Sequence, residues 1–251
     1  MKVSVVIPAR NESRFLEDTL KAINTSADII VVDDGSTDNT SEIAKKYTKN
    51  VIKLADRGYS VVGRPLLASV INKGLELCKD SDYVCKLDAE HVLPPNYLSD
   101  VIERMKRDSV VIASGVIRGE FQSEDFPWGS GRVVDGNFWR QIGLRYPEKM
   151  GWEDWLVYKA LQLGKKVRSY PDIVSSTQRP MSFKGKGEIM YALGYYWPYA
   201  LGRCIRVFLH SPGSGMDMFR GFVLHSGVER LDVAPWVNNY QRKKLGKRFN
   251  S

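Results

Sequence analysis

Short apolar runs alternate with helical patterns over the first 115 residues, and this alternation constrains the fold more than any other feature of the chain. Between the runs, apolar residues recur at helical spacing, as in Phe15, Leu16, Leu20 and Ile23. The alternation predicts right-handed crossovers and an α/β fold, a largely parallel, Rossmann-like sheet flanked by helices. The predicted strands are Lys2–Ala9, Ile29–Asp33, Asn50–Leu54, Tyr83–Leu87 and Val110–Ser114.

Polar residues directly follow three of the predicted strands. They are Asn11, Glu12, Asp33, Asp34, Asp88 and Glu90. Because parallel strands end at one edge of a sheet, we expect these residues to share a crevice, where such folds bind ligands. Crowded carboxylates repel one another unless a cation neutralises them, and Mg²⁺ and Mn²⁺ prefer oxygen ligands. Since the chain has no glycine-rich phosphate-binding loop, we predict that a divalent cation holds the phosphates of a nucleotide there.

The positive charge of the chain is concentrated in its last part. The formal net charge is +8, and the residues from Arg179 onward carry 12 Lys and Arg against four acids, so residues 1–178 are neutral. This basic, aromatic segment predicts an anionic or interfacial partner, with a solvated basic surface as the alternative. A nucleic-acid-binding protein is the rival interpretation, but the acidic crevice would repel phosphates without a metal. A nucleotidyltransferase is the other rival, and it normally needs a glycine-rich loop that Pro8–Asn11 does not supply.

Three cysteines, Cys78, Cys85 and Cys204, do not form a metal-binding pattern and leave one unpaired in any disulfide scheme. This number fits a reducing compartment better than secretion. Lys2 and the apolar run behind it favour a first strand over a signal peptide. We therefore predict a cytoplasmic protein.

Five short segments carry a family resemblance, in an order and at spacings that short acidic motifs alone would not reproduce. They are Val5–Glu12, Val31–Asp38, Leu87–Glu90, Gly136–Arg140 and Gly151–Asp154. Together they resemble the inverting family 2 glycosyltransferases, which have the A-type nucleotide-sugar fold. The resemblance extends from Lys2 to about Tyr170.

The resemblance implies transfer of a sugar from a nucleoside-diphosphate sugar, UDP- or GDP-linked, to a hydroxyl of a glycan or lipid-linked acceptor. It implies a Mg²⁺ or Mn²⁺ ion on Asp88 and Glu90, the latter replacing the family's second Asp. It assigns Trp152 and Glu153 to the acceptor and makes Asp154 the general base. The donor-binding residues implied are Pro8, Ala9, Asn11, Glu12, Asp33, Asp34 and Asp88.

Several of these residues have ordinary structural alternatives. Asn11 and Glu12 suit the start of a helix, and Asp154 suits a helix cap. Tryptophans such as Trp152 are more often core residues, while His91 either joins the metal ligands or packs beside them. Asp34 is expected to accept a hydrogen bond from the nucleotide base, and Asp33 to lie deeper or to support the loop.

The sequence predicts a catalytic domain over residues 1–178, with a nucleotide-binding half (1–115) and an acceptor half (116–178). Residues 179–251 form a basic, aromatic, helical extension. Apolar residues between Ile189 and Leu209 predict a helical stripe that is too short and too charged to span a bilayer. The stripe either lies on an anionic membrane surface, as a peripheral anchor, or packs on the catalytic domain. Pro198 is expected to kink or split this helix.

Overall fold

The structure, a computed structural model, describes residues 1–23, 26–120, 123–179 and 185–249. The strands are β1 (Val3–Ala9), β2 (Asp28–Asp33), β3 (Asn50–Lys53), β4 (Tyr83–Lys86), β5 (His91–Val92), β6 (Ile112–Ile117), β7 (Arg132–Asp135) and β8 (Val167–Thr177). The helices are α1 (Leu16–Ala22), α2 (Thr40–Tyr47), α3 (Leu66–Leu75), α4 (Tyr97–Asp108), α5 (Gly136–Gln141), α6 (Trp152–Gln162), α7 (Lys186–Ala192), α8 (Trp197–His210), α9 (Pro212–Val223) and α10 (Ala234–Phe249). Parts of the predicted extension, residues 180–184 and 250–251, lie outside the described residues.

The sheet has the order β3-β2-β1-β4-β7-β6-β8-β5. Strands β3, β2, β1 and β4 are parallel, so the first four predicted strands are confirmed, with ends that differ by at most one residue. The fifth predicted strand, β6, begins two residues later than expected and does not adjoin β4. Strand β7 lies between them, antiparallel to both, and the sheet is therefore mixed rather than parallel throughout.

The core occupies both faces of the sheet because side chains alternate along each strand. In β1, Val5 and Ile7 belong to a cluster with α1, α2 and α4, whereas Val6 belongs to one with α3. The second cluster continues through α6 into the C-terminal helices, since it includes Leu156, Met190 and Cys204. The extension thus shares a core with the domain before it.

The predicted stripe between Ile189 and Leu209 forms two helices, α7 and α8, rather than one. Gly194, with φ of 71°, follows α7, and Pro198 is the second residue of α8, a position where its missing N–H costs nothing. The stripe also divides by environment: Leu193 is buried, whereas Trp197 and Ile205 are exposed. The structure therefore supports packing on the domain for Leu193, and the membrane interpretation of the exposed residues stays a prediction. Among the described residues, no helix is both long and apolar enough to cross a bilayer.

Candidate active site

Asp33 shapes the loop that follows β2. Its Oδ1 accepts a 2.7 Å hydrogen bond from the backbone N–H of Ser36, and its Oδ2 accepts one from the hydroxyl of Ser41. Gly35, which precedes Ser36 in this loop, has φ of 72°, and a Cβ there would be 2.5 Å from the Cα of Asp56. Asp33 is fully buried and occupied by these bonds, so it supports the loop rather than contacting a ligand directly.

Asp34 presents a free oxygen at the end of β2. Its backbone N–H donates to the carbonyl of Ala9 at 2.8 Å, and its Oδ1 pairs with Arg57. Its Oδ2 is buried and has no hydrogen-bond partner among the described residues. Burial raises the pKa of Asp34, although Arg57 acts in the opposite direction. A buried acceptor without a donor costs free energy, and an N–H of a bound ligand would satisfy it.

The loop after β1 is tied to the loop after β2. Asn11 has a left-handed backbone, with φ of 55°, and its Oδ1 accepts a 2.9 Å bond from the N–H of Thr37. Its own N–H donates to Ser36 Oγ at 3.0 Å. Asn11 therefore joins the loops and does not cap α1, which begins at Leu16. Pro8 and Ala9 pair in register with Val32 and Asp33, directly below this junction.

Glu12 is held by an arginine that the sequence analysis did not assign to the site. Arg179 donates to both carboxylate oxygens of Glu12, at 2.8 and 2.6 Å. Burial raises the pKa of Glu12, and Arg179 partly offsets this effect. The only sequence signal for Arg179 is a basic residue directly after a long strand, which is too common to be diagnostic.

Asp88 and Glu90 follow β4 and lie beside Glu12. Burial, then the charges of Asp88 and Glu12, raise the pKa of Glu90, which shows that negative charge is crowded there. Among the described residues, no three His, Cys, Asp or Glu side chains converge as a complete metal site. Mg²⁺ and Mn²⁺ do not require three protein ligands, because Mg²⁺ commonly uses one or two carboxylates together with substrate phosphates. The two carboxylates therefore fit a metal ion that is shared with a bound diphosphate.

His91 packs beside these residues. Its Nδ1 lies 2.6 Å from Ser130 Oγ and its Nε2 lies 2.8 Å from Ser175 Oγ, so both ring nitrogens already have partners. The ring is 1% exposed, and burial lowers the pKa of His91 to about 4. Of the two alternatives for His91, the geometry favours packing over metal binding.

Lys86 connects the crevice at the ends of β1, β2 and β4 to Glu153. We call this the donor crevice below, and it contains Asp34, Asp88 and Glu90. Its Nζ lies 2.6 Å from Asp88 Oδ1 and 2.8 Å from Glu153 Oε1, and the residue is 5% exposed. Burial disfavours its charge, but Asp88 and Glu153 outweigh burial and raise the pKa of Lys86. The same pairing holds the pKa of Glu153 below its ordinary value despite burial. Sequence analysis overlooked Lys86, although a lysine in the otherwise apolar run Tyr83–Leu87 is a usable signal.

Asp154 and Glu153 lie in the first turn of α6 and line a cavity of about 720 Å³, which we call the α6–α8 cavity. Segment 123–132 forms one wall, and residues of α6, α7, α8, α9 and α10 form the others. The backbone carbonyls of Pro127, Trp128 and Glu153 accept hydrogen bonds from the buried Arg132, at 2.8, 2.9 and 2.6 Å. The aromatic residues of the wall are Phe126, Trp128, Tyr158, Tyr195, Tyr199 and Tyr240.

Trp152, expected to stack on an acceptor sugar, is 8% exposed and belongs to the core. Its ring packs edge-on against Tyr146, with 4.8 Å between centroids, and it is absent from the cavity wall. The structure therefore favours the packing alternative for Trp152. Phe126, Trp128, Tyr199 and Tyr240 are the half-buried aromatic residues of the cavity wall.

Comparison with known proteins identifies the family. A family model described as Glycosyl transferase family 2 matches residues 4–161. A dolichol-phosphate mannosyltransferase of Pyrococcus furiosus is 30% identical over 152 residues, covering 57% of this chain and 38% of the relative. An undecaprenyl-phosphate 4-deoxy-4-formamido-L-arabinose transferase of Edwardsiella ictaluri is 31% identical over 153 residues, covering 56% and 44%. The chain thus spans less than half the length of these relatives.

Among solved structures, a mannosyltransferase of Pyrobaculum calidifontis in complex with GDP-Man and Mn²⁺ has a TM-score of 0.60. The likeness covers 100% of this chain and 75% of that one at 17% identity. At this identity the likeness concerns the fold alone.

Proposed function

Because this chain belongs to glycosyl transferase family 2, we propose that it transfers a sugar from a nucleoside-diphosphate sugar to an acceptor hydroxyl, with inversion at the anomeric carbon. The observation that carries this proposal is the position of Lys86. This lysine bonds both Asp88, which follows β4, and Glu153, which lines the α6–α8 cavity. One side offers a place for a nucleotide, and the other offers a carboxylate, Asp154, at a cavity wide enough for an acceptor.

On the donor side, the unpaired Oδ2 of Asp34 accepts an N–H of the nucleotide base. Arg57, already paired with Asp34, favours the ionised form of that carboxylate, which can only accept. Asn11, Glu12 and Asp33 fix the two loops around the base, with Pro8 and Ala9 beneath it. Asp88 and Glu90 hold Mg²⁺ or Mn²⁺ together with the diphosphate. When bound, this metal ion neutralises the charge that develops on the leaving diphosphate.

On the acceptor side, Asp154 accepts the proton of the attacking hydroxyl. Attack from the face opposite the leaving diphosphate inverts the anomeric carbon, and it requires the base to lie across the sugar from Asp88. Glu153 is held by Lys86 and therefore positions the first turn of α6, and with it Asp154. The close approach of Gly129 supports this, since a Cβ there would be 2.2 Å from Glu153 Cδ.

The proposal is tested with Asp154→Asn, which preserves shape and removes basicity. Lost general-base catalysis costs about 10²- to 10⁴-fold in turnover, so we expect a loss of that size with unchanged affinity for UDP or GDP in the presence of Mn²⁺. The matched control is Asp125→Asn, an 80% exposed acid at the rim of the same cavity. Near-normal turnover in Asp154→Asn, or a product of retained configuration, would contradict the mechanism.

The acceptor is a lipid-linked molecule at the cytoplasmic face of a membrane, to which the extension binds peripherally. Of the thirteen large apolar residues that are exposed in the described chain, seven lie between Trp197 and Leu224, on α8, α9 and the residue after them. We call these seven residues the apolar patch; they are Trp197, Ile205, Phe208, Leu209, Met216, Val223 and Leu224. Exposed apolar residues on helices that also carry arginines are typical of proteins that lie on anionic lipid. Cys78, Cys85 and Cys204 are free and buried, which suits a reducing compartment.

A further inference from the structure

The α6–α8 cavity has more positive than negative side chains. Lys186 of α7, Arg203 and Arg206 of α8, and Lys244 of α10 line it, so three helices contribute cations to one space. Two acids face them, Asp154 and the exposed Asp125, while the carboxylate of Glu153 is bonded to Lys86. The pairing of Lys244 with Asp125 is long, at 3.9 Å. This leaves a positive excess around the carboxylate that we propose as the base.

Arg203 is held in the cavity wall by a tyrosine pair. Its Nη1 donates to the hydroxyl of Tyr195 at 3.2 Å, and that hydroxyl also accepts a 2.9 Å bond from Tyr158. The two tyrosines are buried, so they hold the guanidinium at a fixed place in the wall. A neutral hydroxyl does not balance the guanidinium charge, and the low dielectric beside the buried tyrosines strengthens the attraction of the guanidinium for an anion.

We propose that the α6–α8 cavity binds a phosphate group of the acceptor, with Arg203 and Lys186 as its principal partners. This inference rests on the proposed function and adds the chemical class of the acceptor. A phosphate has several terminal oxygens and up to two negative charges, so it satisfies cations that arrive from separate helices. The phosphate would also hold the acceptor hydroxyl near Asp154, which lines the same cavity.

Two sources of phosphate fit this chemistry, a lipid headgroup and a soluble phosphate ester. Tyr199, Arg203, Arg206 and His210 line the cavity at helical spacing, whereas Trp197, Ile205 and Phe208 are exposed on the rest of α8. One helix thus separates the cavity from the apolar patch. A lipid phosphate would use both surfaces, and a soluble ester would use only the cavity.

Calorimetric titration of the full chain tests the proposal with three probes: octyl phosphate, glycerol phosphate and octyl glucoside, each below its micellar concentration. We expect octyl phosphate to bind, and Arg203→Gln to weaken this binding about tenfold or more, as for a lost hydrogen bond to a charged group. Lys186→Gln should weaken it as well, whereas binding of octyl glucoside should not change. The matched control is Arg220→Gln, an exposed arginine of α9 outside the cavity.

Octyl phosphate that binds at least tenfold tighter than glycerol phosphate identifies a lipid phosphate, and similar affinities identify a soluble ester. Either result supports the phosphate site. The inference is overturned if wild type does not bind octyl phosphate, if octyl glucoside binds equally well, or if both variants bind like wild type. Titration of the same proteins with UDP and GDP plus Mn²⁺ separates the two proposals. Failure of wild type to bind either nucleotide contradicts the proposed transferase. Unchanged nucleotide affinity in Arg203→Gln shows that the donor crevice of this variant is intact.

Discussion

At the scale of single residues, Lys86 combines deep burial with two charged partners, and it is 5% exposed. It is a buried cation between Asp88 and Glu153, and each carboxylate belongs to a different side of the proposed reaction. A buried ion pair contributes little net stability when it is complete, but removing one member leaves an uncompensated charge. Lys86 therefore both positions Asp88 and Glu153 and contributes to the stability of the fold.

Lys86→Met should lower the free energy of unfolding by about 1–3 kcal/mol, because Asp88 and Glu153 lose their common counterion while their side chains, 36% and 34% exposed, stay partly hydrated. Denaturant unfolding measures the effect, and adding Glu153→Gln should restore part of the loss. The control is Lys73→Met, which breaks a pair whose side chains are 54% and 61% exposed and should cost less than about 1 kcal/mol. Equal losses in the two lysine variants would show that the buried pair has no special role.

His91 should make stability depend on pH. Its folded pKa, about 4, lies below the ordinary histidine pKa of about 6.5, so the unfolded chain binds the extra proton between these values. Stability is therefore present above pH 6.5 and is lost as pH falls toward 4, by about 3 kcal/mol. His91→Gln keeps hydrogen-bonding capacity but removes this titration. Unfolding curves between pH 4 and 7 should thus be flatter for the variant, and parallel curves would contradict the assignment.

At the scale of elements, the C-terminal helices approach one another through glycine. A Cβ on Gly187 of α7 would be 2.1 Å from the carbonyl oxygen of Met218 in α9, a backbone atom that cannot move alone. Gly187→Ala should therefore separate the helices and cost about 1–3 kcal/mol. Gly202→Ala in α8 is the control, since nothing lies within 4 Å of its Cβ position. There alanine should stabilise by about 1 kcal/mol through helix propensity, and thermal unfolding should show opposite shifts for the two variants.

The parallel half of the sheet was predictable because β1, β2 and β4 are mostly buried and mostly apolar. Strand β7 was not, since its four residues begin with Arg132 and its antiparallel position depends on partners distant in the chain. The same distinction applies to the site. Asp34, Asp88 and Asp154 stand in local motifs, whereas the contacts of Arg179 and Lys86 join residues 167 and 67 positions apart. Local patterns do not record such distances.

At the scale of the whole molecule, α8 has a different environment on each of its sides. Ala200 and Cys204 are buried in the core shared with α6, Arg203 lines the α6–α8 cavity, and Ile205 and Leu209 are exposed. A helix in this position would place the proposed anionic acceptor and an apolar surface within one helix diameter of each other, about 10 Å. Binding to lipid and binding of acceptor would therefore occur together on the same element.

The membrane proposal predicts that the chain sediments with vesicles containing anionic lipid and is released by salt, because screening weakens the attraction of the basic extension. Ile205→Glu combined with Leu209→Glu should reduce partitioning about tenfold to a hundredfold, since burial of each side chain contributes about 1.5–3 kcal/mol when complete. The control is Val62→Glu combined with Leu163→Glu, both exposed apolar positions outside the extension. Equal sedimentation of the two double variants, or equal binding to neutral and anionic vesicles, would contradict a role for this face. UDP and GDP binding should stay unchanged throughout, because the donor crevice lies at the ends of β1, β2 and β4 and not on α8.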